Sequence, residues 1–295
     1  MKDRWETVRI SLLLFNLHVY HITMNFKEYA PVPVLQPYVD RFWIVETFSD
    51  DLYPMEHALT PNGMDGIIFL LYNQVPQKFI RNNISQPLPD NYGLIQPLTH
   101  WRLSIPGPCL IAGVFFKPAV LHRWLRYPMY ELTGQPINME AVLGREITGL
   151  NEQLSEKTGD IIQILEAFLI SRLPVLRPTV NTYADYATSL LIQQKGRHSI
   201  QLLADELKVS RQFLARQFAD KVGISPKHFG RVVRFNAMHR TISAKVQPDW
   251  LDMVCQFGYY DQAHLIKDFH DFIGWSPTDY LHAPTEAADF YAGKP

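Results

Sequence analysis

Between residues 39 and 116 short apolar or aromatic runs alternate with turn signals. RFWIVETF (41–48), GIIFLLYN (66–73), YGLIQPL (92–98) and CLIAGVFF (109–116) are separated by TPNG, PDNYG and IPGP. Such runs, bounded by Gly, Pro and Asn, predict the strands of a β-rich unit. After Lys117 the period changes. PAVLHRWLRYP (118–128) predicts a short helix. Residues 149–173 predict a longer one, with a broken stripe of Leu150, Leu154, Ile161, Ile164, Leu165 and Phe168. PVLRP (174–178) ends that helix and reads as a linker. Short helical segments follow from 179 to 282, and APTEAADFYAGKP (283–295) reads as a flexible tail.

The helical part contains one pattern twice, at an offset of 51 residues and without a gap. Ile200 meets Leu251, Leu203 meets Val254 and Ala204 meets Cys255. Ser210 meets Asp261, Leu214 meets Leu265, Arg216 meets Lys267 and Phe218 meets Phe269. Gly223 meets Gly274, Ser225-Pro226 meets Ser276-Pro277, and Phe229 meets Tyr280. In copy one, Ile200, Leu203, Ala204 and Leu207 form one face of a short helix. Ser210 and Asp261 are N-caps for the helix that follows each turn. Leu214/Phe218 and Leu265/Phe269, at i and i+4, bury that helix. Gly223 and Gly274 supply the positive φ that ends it, and Ser-Pro starts another helix. A short helix, a tight turn and a second helix with a free outer face make a helix-turn-helix.

The free face of the second helix carries Arg211, Gln212, Ala215 and Arg216 in copy one, beside the cap Ser210. In copy two it carries Gln262, Ala263, His264 and Lys267. Any one of these alone would read as a solvated surface residue. The two sets together, after two capped turns, point to contacts with bases and phosphates of DNA. PKHFGRVVRFNAMHRTISAKV (226–246) predicts a continuous amphipathic helix between the copies. About twenty residues span roughly 30 Å, near one turn of B-DNA. A stiff spacer would then hold two reading helices over successive segments of the major groove.

These residues resemble the AraC/XylS family of bacterial transcription regulators, whose DNA-binding unit would cover roughly 180–282. The family's S-x-x-x-L-x-R-x-F pattern is matched by Ser210, Leu214, Arg216 and Phe218, with Ala204 in the preceding helix. Its G-x-S-P-x-x-Y/F signature is matched at Gly223–Phe229 and Gly274–Tyr280, and Arg234 matches an Arg of the linker helix. Gly258, Tyr259, Asp261 and Leu265 match its second half. Two departures stand out. Lys267 replaces the family's Arg, and Asp268, His270 and Asp271 surround Phe269. Acids near a phosphate backbone oppose binding. Copy one is therefore expected to provide most of the affinity, with copy two weak or dependent on His protonation. More loosely, LTPNGMDGIIFLLYN (59–73) and IAGVFFKPAVLHRWL (111–125) resemble elements of an uncharacterised sensor-like domain in one branch of the family, with Ala119 in place of a Gly. The resemblance implies double-stranded DNA as partner, no cofactor, and control by a small-molecule effector or by self-association. RNA polymerase, a homodimer and an activator's role in the cytoplasm complete what it implies.

Composition changes this picture little. The 295 residues are 47% hydrophobic and 19% charged, with formal net charge −1. The charge is uneven: residues 195–282 hold 12 Lys+Arg and 9 Asp+Glu, net +3. Two cysteines, Cys109 and Cys255, build neither a disulfide framework nor a cysteine zinc site. ISLLLFNLHVYHI (10–22) is too short to span a membrane and lacks a cleavage site, with Asp3 and Glu6 ahead of it. Met24 begins a more natural domain start, so residues 1–23 read as an extension or a loosely attached helix. The expected fold is thus multi-domain α+β: a β-rich sensor- or dimerisation-like domain with helical segments (24–174), then an all-α domain of two helix-turn-helix motifs joined by a linker helix (179–282).

Other chemistry finds little footing. His18 and His21 lack a third ligand, and Glu56, His57 and Asp65 lack the H-x-H spacing of a cupin metal site. Ser49 and Ser104 have no base beside them, and no glycine loop cradles phosphate. Phe42, Trp43, Trp101, Phe115, Phe116 and Trp124 read as core more than as pocket lining. No metal and no enzymatic activity are expected. The alternative is a small-molecule-binding protein or enzyme in the N-terminal domain, with the helical domain as an appendage.

Overall fold

The computed structural model describes residues 6–14, 18–48, 55–73, 76–81, 84–105, 107–176, 182–242 and 248–282. The first ten strands are β1 (Glu6–Leu14), β2 (His18–Tyr29), β3 (Val39–Thr47), β4 (Met55–Leu59), β5 (Asp65–Asn73), β6 (Lys78–Arg81), β7 (Ile84–Pro87), β8 (Asn91–Leu94), β9 (Trp101–Ile105) and β10 (Cys109–Phe116). With β11 (Pro136–Asn138) they form a seven-stranded sheet, β1-β2-β3-β10-β5-β8-β11, and a four-stranded one, β4-β9-β6-β7. The pairings are antiparallel, as hairpin-linked short strands favour.

Alternation along each strand sorts side chains between two layers. Phe42, Ile44, Ala112, Val114 and Phe116 face one way and pack beneath helices. Val45, Ile68, Leu70, Cys109 and Ile111 face the other way and meet Phe79, Trp101 and Leu103 of the second sheet. Phe42, Trp101, Phe116 and Trp124 are core, as expected, while Trp43 and Phe115 are half-buried.

Three expectations for this half are corrected. Residues 1–23 are not helical where described: β1 pairs with β2 from Glu6 opposite Phe26 to Leu14 opposite His18. Val19, Tyr20, Ile22 and Thr23 are residue types that favour strands. The long helix is two, α4 (Arg145–Glu156) and α5 (Ile161–Ser171), parted by a 3₁₀ turn at Thr158–Asp160. They follow α1 (His122–Leu125), α2 (Met129–Leu132) and α3 (Met139–Leu143). Part of the expected linker is itself a helical turn, α6 (Leu173–Leu176), with Leu173 and Leu176 in the core. Pro174 is tolerated there because the first turn of a helix needs no N–H from it. Arg123 donates to the Leu176 carbonyl at 3.0 Å and fastens the turn.

The helical half runs α7 (Tyr183–Gln193), α8 (Ile200–Glu206), α9 (Arg211–Lys221), α10 (Pro226–His239), α11 (Trp250–Phe257), α12 (Gln262–Phe272) and α13 (Pro277–His282). Leu203, Ala204, Leu214 and Phe218 form one core, and Val254, Leu265, Phe269 and Tyr280 a second. Helix α10 joins them, placing Phe229 in the first and Val232, Phe235 and Met238 in the second. It is shorter than expected: 14 residues, about 20 Å. The Thr241 hydroxyl donates to the Met238 carbonyl at 2.7 Å, and Ile242 turns into the second core. Among the described residues no helix is long and apolar enough to cross a membrane.

Candidate nucleic-acid interface

The two copies are built alike from their caps outward. Ser210 Oγ accepts from the Phe213 N–H at 3.1 Å, and Asp261 Oδ1 accepts from the His264 N–H at 2.7 Å. Gly223 and Gly274 close α9 and α12 at φ +93° and +89°. Ser225 accepts from the His228 N–H at 3.2 Å, and Ser276 from the Asp279 N–H at 3.1 Å. Leu214, Phe218, Leu265 and Phe269 are buried.

The opposite faces are open. Ser210, Arg211, Gln212 and Arg216 are exposed on copy one, as are Gln262, Ala263 and Lys267 on copy two; Ala215 and His264 are half-buried. The oxygen of Ser210 is occupied by its cap, which leaves its O–H free to donate. Two exposed apolar residues of copy two were not legible as site candidates. Ile266 occupies the position of Ala215 and is 39% exposed, and Tyr260, in the turn, is 92% exposed. The offset alignment was the only signal for Ile266.

His264 occupies the position of Phe213. Phe213 stands edge-on to Tyr183 with ring centroids 5.2 Å apart, and His264 edge-on to Tyr259 at 5.3 Å. Its Nε2 lies 3.1 Å from an Arg234 guanidinium nitrogen. Arginine only donates, so Nε2 accepts and the imidazole is neutral. Burial, then the Arg234 charge, hold its pKa below the ordinary histidine value.

Of the acids beside Phe269, Asp268 faces inward and Asp271 is half-buried. Asp268 is fully buried, and its Oδ1 accepts from Arg231 Nε at 3.0 Å and from a terminal nitrogen of the same guanidinium at 2.7 Å. Arg231 also bridges to Asp271 at 2.5 Å, and Arg234 reaches Asp268 at 3.5 Å. Both carboxylates are thus paired with arginines of α10 within the domain.

The β-rich half grips this domain away from the exposed cations. Thr133 donates to the Gly223 carbonyl at 3.2 Å, and the His100 N–H to the Asp271 carbonyl at 3.1 Å, both near the C-terminal ends of the reading helices. Asn236 on α10 donates to the Pro61 carbonyl at 3.1 Å. Leu98 and Ala119 pack into the first helical core, Ala119 at φ +59° where the resembled pattern has a Gly. The side chains of His18, His21, Ser49, Glu56 and His57 lie outside the described residues. Asp65 is buried against Gln96.

Residues 203–283 match the family described as "Helix-turn-helix domain", and residues 27–138 the family described as "Domain of unknown function (DUF6597)". No curated protein matches the chain. Among solved structures, ToxT from Vibrio cholerae O395 is 12% identical over 78% of this chain and 95% of its own, with TM-score 0.44. The AraC-like transcriptional activator CuxR is 11% identical over 67% of this chain and 74% of its own, at 0.33. The EutQ protein of Clostridium difficile is 13% identical over 32% and 69%, at 0.24. The C-terminal region of this chain carries two helix-turn-helix motifs within a stretch that matches a helix-turn-helix family, and it follows a β-rich domain matched by a family without an assigned function.

Proposed function

We propose that the chain is a sequence-specific DNA-binding transcription regulator that reads successive major-groove segments with α9 and α12. The observation that carries this reading is the pair of capped helices with open outer faces, Arg211, Gln212 and Arg216 on one, Gln262 and Lys267 on the other. Arginine and lysine donate to guanine or phosphate, and glutamine pairs with adenine. Ile266 and the methyl of Ala215 suit a thymine methyl. Copy one, with two exposed arginines, supplies most of the affinity. A gel shift with duplex DNA at two salt concentrations tests this. Binding should weaken by nearly one log unit per log of salt for each phosphate contact. Salt-independent binding, or none, would overturn it.

Control belongs to the β-rich domain. Just before β6, Gln77 is fully buried, and neither its amide oxygen nor its nitrogen makes a hydrogen bond of ordinary geometry; the Cys109 thiol is a polar neighbour. A small-molecule effector with one donor and one acceptor would satisfy that amide. Gln77→Leu should abolish the effector's influence on the gel shift and leave basal binding intact. β1 stands at the edge of the seven-stranded sheet, a template for a second copy. A homodimer acting as an activator through RNA polymerase in the bacterial cytoplasm completes the reading.

A further inference from the structure

Resting on that reading, we infer that Arg231, Asp268 and Arg234 form a brace whose role is positional: it sets the half-site spacing that the two reading helices accept. Arg231 and Arg234 lie one turn apart on α10, and both converge on Asp268 of α12. The Arg231 guanidinium lies 5.2 Å from the centre of the Phe272 ring, and that of Arg234 4.3 Å from the Tyr259 ring. Arg234 also reaches the Gly258 carbonyl at 3.5 Å and His264 at 3.1 Å. Two planar cations are thus held between aromatic faces and two carboxylates, Asp268 and Asp271, all from copy two.

The joint between α10 and copy one is of another kind. There Phe229 meets Phe218 at 6.0 Å within an apolar core, and Gln217 stands where copy two has Asp268. Apolar contact is non-directional, whereas a guanidinium with two nitrogens converging on one carboxylate oxygen, and a second carboxylate on the same fork, fixes an angle. A buried ion pair is a weak source of stability against an apolar substitute, so specificity of geometry is the better account of its cost. With α10 only about 20 Å long, the angle at which α12 leaves it governs where the second helix meets the groove. Half-sites one helical turn apart, roughly 10 base pairs, then bind better than those one or two base pairs closer or farther.

The test uses the full chain and duplexes selected from a random library, re-made with the two half-sites at a series of spacings, and a duplex with the first half-site alone. Wild type should prefer one spacing by about tenfold. Asp268→Asn should bind all spacings within about threefold of one another and keep wild-type affinity for the single half-site. Should Asp268→Asn fail to fold, Arg231→Lys carries the test. It keeps the charge, loses the fork, and should blunt the spacing preference without loss of half-site binding. A wild-type spacing preference in a folded variant would overturn the inference, as would a wild type indifferent to spacing. Failure of wild type to bind any duplex would instead overturn the functional reading beneath it.

Discussion

The side-chain amide of Gln96 donates to Asp65 Oδ1 at 3.1 Å in a site closed to water. The other oxygen, Oδ2, has no partner. Burial pushes the Asp65 pKa up to about 7, against the lowering by the Gln96 hydrogen bonds. Asp65 follows the loop that meets α10 through Pro61, and Gln96 opens the loop that carries Leu98 and His100 to the helices.

A stability profile follows from that pair. The folded protein favours protonated Asp65, so this group's stabilisation is present at low pH. It is lost as pH rises from about 4 to about 7, and the profile is level above that. His228 acts in the opposite sense: burial and Arg231 hold its pKa down, so it costs stability as pH falls below the ordinary histidine value. Asp65→Asn separates the two. In urea unfolding the variant's advantage over wild type should grow by a few kcal/mol across that window and then stay constant. Parallel profiles would refute the assignment.

Two glycines with positive φ should respond differently to alanine. At Gly274 (φ +89°) a Cβ would lie 2.7 Å from the His100 ring, whereas at Gly258 (φ +70°) the nearest atoms are Arg197 side-chain carbons at 3.4 Å. Gly258→Ala should cost about 1–2 kcal/mol of backbone strain alone. Gly274→Ala should cost more, and adding His100→Ala should recover part of the difference. Thermal or chemical denaturation of the three variants checks this.

Exposed cations should be separable by their salt dependence. Arg211→Ala and Arg216→Ala should each weaken duplex binding and lower the salt slope by about 1, with Lys267→Ala having the smaller effect on affinity. Equal losses at all three positions would contradict the ranking of the two copies.

Leu214 and Gln212 lie on opposite sides of α9. Leu214→Ala should destabilise the protein by about 2–5 kcal/mol, because the residue is fully buried. Gln212→Ala, on the exposed face, should leave the stability within about 0.5 kcal/mol of wild type while reducing duplex affinity. Melting curves read beside gel shifts distinguish the two.

Local rules carried the helix-turn-helix pair. A cap needs only a side chain within three residues of its N–H, a buried stripe only its i, i+4 spacing, and a helix end only a glycine. So Ser210, Asp261, Gly223 and Gly274 were legible in the order of the letters. The open faces followed, since a helix whose one side is apolar must turn its other side out.

What depended on distant partners was not legible. Asp268 read as an acid near phosphate until Arg231, 37 residues away, was seen to neutralise it. His264 read simply as part of an open face; its contact with Arg234, 30 residues away, was not in the pattern. The early end of α10, the helical turn at Leu173–Leu176 and the pairing of β1 with β2 likewise rest on contacts elsewhere in the chain. The physical reason is the same each time. Backbone geometry within a turn is set by neighbours in sequence, whereas the charge state and direction of a side chain are set by whatever the fold brings against it.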